Sequence, residues 1–448
     1  MSPNVGPVVN PWDDPPRVTV AAPPRPAVVA VHMGYGHLRA AFALAQAART
    51  DVLSMDRAPL ATPDDVAVWD RLRGTYDKLS RRTGLPVVGG AYRRVLEVVT
   101  AIPRLQPADA QRKASLSVRY LESLFARGFG APLVAHLRAT GAPLVSTFYA
   151  AAIVAEASGL RDVVSVITDA DVNRVWAPAR PDAGTIVYAV PTARAARRLR
   201  AFGVPAERIR RTGFPLPREV AGSEGAEARR RALAARLVRL DPRGAFAATA
   251  PDAARALRAE ADPADVARPL ETAFAVGGAG AQVELARRLV ASLAPRLRAG
   301  TLRLTLVAGT RADTATRFHD AVARAGLASL EGGPVEVLFE PTFDAYATRF
   351  HRRLADLDVL WTKPSELTFF GPAGFALALT RPLGAQEHAN RAWARRLGAA
   401  LDAGDVGGAA AWLDRHLGDG ALARVAYAAA TRMPGHGTER ILALATPR

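Results

Sequence analysis

DVLWTKPSELTFFGPAGFALALTRPLGAQEHAN, residues 358–390, reads as two buried strands, each followed by a polar turn and a helix. Val359 to Trp361 is a short apolar run, and Thr362, Lys363, Pro364, Ser365 and Glu366 form a polar turn that opens a helix. Gly374 closes that helix, and Phe375 to Thr380 is a second apolar run. After a Pro/Gly loop, Gln386 and Asn390 start the next helix four residues apart, so their amides share a face. In an open parallel sheet the rim at the carboxyl ends of the strands is where ligands bind. One cation, one carboxylate and two amides on that rim suit a ligand with phosphates and hydroxyls. The plainer reading is two βα units with ordinary polar caps.

Outward from this stretch, 448 residues are too many for a single core, and two domains of about 200 residues are expected. Half of the chain is hydrophobic, yet no window of about 18 unbroken apolar residues suggests a membrane span. The first residues carry no basic, then apolar, leader, so no secretory signal is expected. There is no cysteine, which excludes disulfides, thiolate metal sites and a cysteine nucleophile. A cytoplasmic setting is expected, at the inner face of a membrane if the basic region described below touches lipid. The formal net charge of +17 favours anionic partners. Almost all of it is arginine, however, a bias that a GC-rich genome produces without functional meaning. The only lysines are Lys78, Lys113 and Lys363, which marks Lys363 as a point charge in a chain that otherwise uses arginine.

Taken in order, residues 1–26 are proline-rich, without periodicity, and are expected to be a disordered lead. Residues 27–217 read as an N-terminal α/β domain. Its first strand (27–32) ends in a glycine turn containing Gly34, Tyr35, Gly36 and His37, and an alanine-rich helix follows. Arg39 holds the third glycine position, so the dinucleotide fingerprint is broken. The turn instead offers backbone N–H groups and an imidazole to an anion or an acceptor hydroxyl. Residues 71–127 form a helical excursion with twelve Lys/Arg against four Asp/Glu and interleaved apolar side chains. It reads either as a surface for anionic lipid or as a packed helical insert with arginines facing water. A strand at 163–169 ends in Asp169-Ala170-Asp171, where Asp169 is a candidate general base. Residues 218–270 read as a linker carrying an insertion, with one helix through Leu233, Leu237 and Leu240. A second α/β domain (271–425) opens on a strand and then Gly277, Gly278, Ala279, Gly280, Ala281 and Gln282, leading directly into a long helix. Small residues there allow close approach of a diphosphate to the backbone. Residues 426–448 are expected to form a C-terminal helix returning to the first domain. The fold class is therefore α/β, two Rossmann-like domains facing a cleft.

These motifs, in this order, resemble the GT-B glycosyltransferases of family 28. GYGHLRAA (34–41), ITDADVNRVW (167–176), YAVPTARAARRLRAFGVPAERIRRTGFPL (188–216), GGAGAQ (277–282), WTKPSE (361–366) and GAQEHAN (384–390) carry the resemblance. It implies a nucleotide-sugar donor, UDP-linked, on the C-terminal domain and a hydroxyl acceptor, lipid or lipid-linked, on the N-terminal one. It places the donor diphosphate at Gly277, Gly278, Ala279, Gly280 and Gln282, with Lys363, Ser365 and Glu387 beside it. The ribose falls to Glu366, and the sugar hydroxyls to Gln386 and Asn390. Gly34, Tyr35, Gly36 and Trp176 would face the acceptor, with His37 between the two substrates. The chain departs from the family at Asn173 and Arg174, where relatives commonly place a histidine, and in a longer interval from Glu366 to Gly374.

The expectation is an inverting transferase that needs neither a metal nor a cofactor beyond its nucleotide-sugar co-substrate, with His37 or Asp169 as base. A nucleotide-sugar epimerase or hydrolase on the same architecture is the rival enzyme. A non-catalytic binder of nucleotide sugars or anions is the rival of another class. Nucleic acid is not an expected partner, because the aromatic residues are too sparse for a stacking platform.

Overall fold

The computed structural model describes residues 25–82, 102, 109–217, 220, 226–278 and 280–446. The expected lead (1–26), the middle of the basic excursion and Ala279 lie wholly or mostly outside these residues.

Short runs of β-branched and aliphatic residues, buried on both faces in the central strands, make two all-parallel sheets with shorter, partly exposed edge strands. The first contains β1 (Ala27–Ala30), β2 (Val52–Ser54), β3 (Leu144–Ser146), β4 (Val163–Val166), β5 (Val187–Val190) and β6 (Ile209–Arg211), in the order β2-β1-β3-β4-β5-β6. The second contains β7 (Leu270–Ala275), β8 (Leu302–Gly309), β9 (Val335–Phe339), β10 (Val359–Thr362), β11 (Ala376–Leu379) and β12 (Leu401–Asp402), in the order β12-β11-β10-β7-β8-β9. The expected α/β architecture of two Rossmann-like domains is what the chain adopts. Strand order reverses between β1 and β3 in one sheet and between β7 and β10 in the other. Those two switch points are where an open sheet leaves a crevice. β6 and β12 have no counterpart in the sequence reading, because Ile209-Arg210-Arg211 has no apolar run and β12 is two residues long.

Residues 218–270, read as a linker with an insertion, include among the described residues the helices Ala226–Leu240, Ala245–Thr249, Pro251–Arg258 and Pro263–Ala267. Leu237, Leu240 and Phe246 join the core of the second domain. Beside them the fully buried Asp358 accepts from Arg239 (Nη2, 2.7 Å) and from the Glu271 backbone N–H (3.0 Å), and Arg268 lies 3.4 Å away. The helix Ala421–Arg432 packs on the second domain, and the chain then crosses back. Phe214 N–H donates to Pro434 O (2.8 Å), Gly437 N–H to Phe214 O (3.1 Å), and Thr438 Oγ1 to Leu216 O (2.9 Å). Ile441, in the last helix (Thr438–Leu444), joins an apolar cluster that also holds Leu38, Phe214, Phe350 and Phe369. One core thus runs through both domains along one side of the cleft.

That shared core holds a histidine without a hydrogen bond. His351, on the helix Phe343–Asp356, is fully buried, neither ring nitrogen has a partner, and the rings of Phe42 and Phe369 flank it. Burial, with Arg39 nearby, holds its pKa well below the usual value. The folded state therefore binds fewer protons than the unfolded chain below about pH 6.5, and stability falls as the pH drops through that value. His351→Phe is expected to stabilise the protein by roughly 1–3 kcal/mol at neutral pH, the usual penalty of an unsatisfied buried polar group. The gain over the parent should widen between pH 7 and pH 5, read by denaturant melts at both; an equal gain at both would reject a titrating cause.

Candidate active site

The loops behind the two switch points meet face to face. On the first domain, Gly34 turns the chain with φ +110°, a conformation natural to glycine, and Tyr35 begins the helix Tyr35–Ala48. The Tyr35 hydroxyl reaches the second domain, accepting from Thr310 N–H (2.8 Å) and lying 3.0 Å from Thr310 Oγ1. On the second domain, Gly278 lies so close to the first that a Cβ there would sit 3.2 Å from Tyr35 N and 3.3 Å from the Gly34 α-carbon. Gly36 faces Ser365 O. The missing side chain at Gly278 is what allows this approach.

His37 is the first chemically active group on that seam. Its Nδ1 lies 2.7 Å from Thr147 O, behind β3, and 3.2 Å from Thr168 Oγ1. A carbonyl only accepts, so Nδ1 carries the proton and Nε2 is left as the basic nitrogen. The ring stands edge-on to Phe148 (centroids 4.9 Å apart) and near Trp176 (6.1 Å), itself buried. Burial lowers the His37 pKa to about 4, against the opposing pull of the Thr147 carbonyl. The imidazole is thus neutral throughout the physiological range.

Asp169 follows β4 on the same rim. Burial raises its pKa to about 6, with the Asn390 hydrogen bond and Lys363 opposing, and Glu387 and Asp171 adding to the rise. Asp171 has a different fate: it is fully buried and held by Arg194 (2.6 Å) and Arg198 (3.0 Å). Asp-x-Asp is therefore not an open pair of oxygen ligands. Among the described residues no group of three His, Asp or Glu is placed to hold a metal.

Behind β10, Lys363 is nearly buried and its Nζ lies 2.6 Å from Glu387 Oε1; Glu387 Oε2 accepts Leu383 N–H (2.9 Å). The lysine stem underlies the glycine turn, since a Cβ on Gly277 would sit 3.4 Å from Lys363 Cε, 3.5 Å from Ser365 Oγ and 3.2 Å from Glu366 Oε1. Lys363, Ser365, Glu366, Gly277 and Gly278 therefore converge opposite Tyr35. The expectation of a helix starting directly after Gln282 is corrected. Gln282 takes a left-handed φ of 68° and its amide is tied to Thr380 Oγ1 and Arg381 O (both 2.7 Å). The helix begins at Leu285, so the described glycines of the turn stand ahead of its N-terminus. Gly280, also left-handed, packs toward Arg311 and Thr314.

Gln386 and Asn390 share the helix Ala385–Arg396 but have different surroundings. Gln386 is half-buried, whereas Asn390 is wholly buried and joins the domains. Its Oδ1 accepts Ala170 N–H (2.8 Å), and its Nδ2 donates to Asp169 Oδ1 and Pro364 O (both 2.9 Å). Sequence reading missed Arg39, Thr147, Phe148, Thr310 and Tyr346. Arg39 was legible in one respect: it stands four residues after Tyr35, on the same helical face.

No family model and no curated protein matches the sequence. Among solved structures the chain is similar to UDP-GlcNAc 2-epimerase from Neisseria meningitidis bound to UDP-GlcNAc (8% identity, 90% of this chain and 96% of that one, TM-score 0.41). It is also similar to Acinetobacter baumannii MurG (15% identity, 93% and 98%, TM-score 0.42) and to the S. aureus MnaA–UDP structure (12% identity, 92% and 93%, TM-score 0.44). A likeness of this degree is one of overall chain arrangement; it assigns no residue and no reaction.

The described parts of the basic excursion are the helices Pro63–Arg82, Asp109–Arg112 and Leu116–Ala126. Leu116 and Tyr120, one turn apart, are exposed (84% and 54%) among the exposed Lys113, Arg119 and Arg127. No described helix is long and apolar enough to cross a membrane.

Proposed function

We propose that the protein is a glycosyltransferase that moves a sugar from a nucleoside-diphosphate donor to a hydroxyl acceptor with inversion and without a metal. The observation that carries this reading is the seam itself: a glycine turn over a buried lysine on one domain, opposed by an imidazole whose Nε2 is its free base on the other. The diphosphate would lie on Gly277, Gly278 and Gly280 with Lys363 beneath, where fixed N–H groups and one cation offset the charge that develops on the leaving group. His37 Nε2 would take the acceptor proton as its oxygen attacks the anomeric carbon. The donor is taken to be UDP-linked on the family resemblance alone. Leu116 and Tyr120 among cationic side chains favour a lipid or lipid-linked acceptor, approached from an anionic membrane surface.

The test is product analysis with donor alone and with donor plus lipid acceptor, after a thermal-shift screen of uridine, guanosine and thymidine diphosphates. Transfer only with acceptor supports the proposal, while conversion of donor alone means an epimerase or hydrolase. The base is assigned by the acid limb of kcat/KM, which reports the free enzyme. A base works only when deprotonated, so activity falls as pH drops through its pKa. A limb near pH 4 is expected for His37; a limb near pH 6 would assign the role to Asp169.

A further inference from the structure

A cavity of about 290 Å³ lies on the flank of the second domain, enclosed by three helices of the stretch 218–270. Ala226–Leu240 forms its wall, Ala245–Thr249 one end and Pro251–Arg258 its roof. Ala234, Leu237 and Phe246 make a buried floor, and Ala254 and Leu257 line the roof. Protein interiors leave few voids larger than a water molecule. Here the wall is fixed from behind: Arg236 donates to Gly374 O (3.1 Å) and Ala355 O (2.8 Å), and Arg239 to Asp358 (2.7 Å). None of the roof helix's residues is buried, although Ala254 and Leu257 face inward, so the roof spans the space instead of filling it.

Arg255 and Arg258, one turn apart on the roof helix, also line the cavity and are exposed, which puts its mouth on their side. Arg255 stands 3.9 Å from Asp252, an exposed pair that holds it weakly. Nearby Glu260 is taken by Arg230. Asp241, the acid of the lining, turns both oxygens to the backbone, accepting Phe246 N–H (2.9 Å) and Ala247 N–H (3.0 Å). Two guanidiniums against the Asp252 carboxylate leave the mouth with net positive charge of a single unit.

We propose that this cavity is a second ligand site, which takes the tail of a single-chain carboxylate of the fatty-acid class and holds its head at Arg255 and Arg258. The site is independent of the transferase reading. An apolar cavity of about 150 Å³ holds a benzene, so this one has room for roughly ten to twelve carbons of chain. A guanidinium fork matches a carboxylate. The single net charge at the mouth suits that monoanion better than a phosphate, which carries about −1.5 to −2. Arg239 meets Asp358 just before β10, whereas Lys363 follows its other end, roughly 16 Å away along an extended strand, so the cavity lies apart from the glycine turn.

The test is calorimetric titration of decanoate, decyl phosphate, decanol and decyltrimethylammonium, each below its micellar range. One decanoate should bind per parent chain, about tenfold or more tighter than decyltrimethylammonium, and tighter than decyl phosphate. Ala254→Trp, which fills the cavity from its half-buried roof, should melt cooperatively and bind no decanoate. Arg255→Gln/Arg258→Gln should bring decanoate down to the affinity of decanol, because the apolar lining is untouched. A parent that binds no decanoate overturns the site, as does undiminished binding by folded Ala254→Trp, which would put the chain elsewhere, such as at Leu116 and Tyr120. Decyl phosphate binding as tightly as decanoate, or tighter, overturns the carboxylate assignment. If Ala254→Trp does not fold, Arg255→Glu/Arg258→Glu decides, since both positions are exposed. A loss of about tenfold or more for decanoate then supports the site, and any smaller loss overturns it.

Discussion

His37→Asn is expected to lower kcat for sugar transfer by about 10²–10⁴-fold, the usual contribution of a positioned general base, with donor affinity nearly unchanged. The asparagine is chosen for what it keeps. Its Nδ2 can donate to Thr147 O as His37 Nδ1 does at 2.7 Å, so the buried carbonyl is not orphaned and the helix stays seated. Only the basic nitrogen is lost. His37→Ala should show the same fall in kcat plus a modest loss of stability, because Thr147 O and the edge-on contact with Phe148 both lose their partner. Donor affinity should persist in both variants, since the diphosphate turn belongs to the other domain. Transfer by His37→Asn at more than a tenth of the parent rate would remove His37 as base and leave Asp169.

The sequence reading came closest where local chemistry decides structure. The apolar run expected at Val359 to Trp361 is β10, one residue longer. Gly374 closes the turn after Phe370 with a left-handed φ, as glycine should. The seam was only half legible. A glycine turn and one of three lysines mark themselves by composition, so Gly278 and Lys363 stand out in the chain. Arg39 does not, because it is one of dozens of arginines and nothing local shows that four aromatic residues three hundred positions away will close around it. Asn390 illustrates the same limit. Its spacing from Gln386 fixes the helix face, but burial against Asp169 and Ala170 is set by how the domains meet, which no local periodicity encodes. The start of the helix after β7 was misjudged for a related reason: the tether from Gln282 to Thr380 and Arg381 spans about a hundred residues.

Lys363→Met is the second large effect, a fall of roughly 10²–10³ in kcat if the ammonium steadies the leaving diphosphate, comparable to the loss of one fixed oxyanion donor. Methionine preserves the stem that underlies Gly277, so the turn keeps its support and the charge alone is removed. Two consequences separate this from simple misfolding. Glu387 loses the cation 2.6 Å away, and Lys363→Met/Glu387→Gln should therefore recover stability without recovering rate. Asp169 also loses a neighbour that holds its pKa down, while its buried surroundings remain. If Asp169 were the base, the acid limb of kcat/KM would move upward from about 6 in Lys363→Met; with His37 as base it stays near 4. Lys363→Arg should not rescue, because a planar fork cannot act as the same point charge. A double variant that regains rate along with stability would mean that Lys363 is structural, and the electrostatic role would then pass to the backbone N–H groups of the glycine turn.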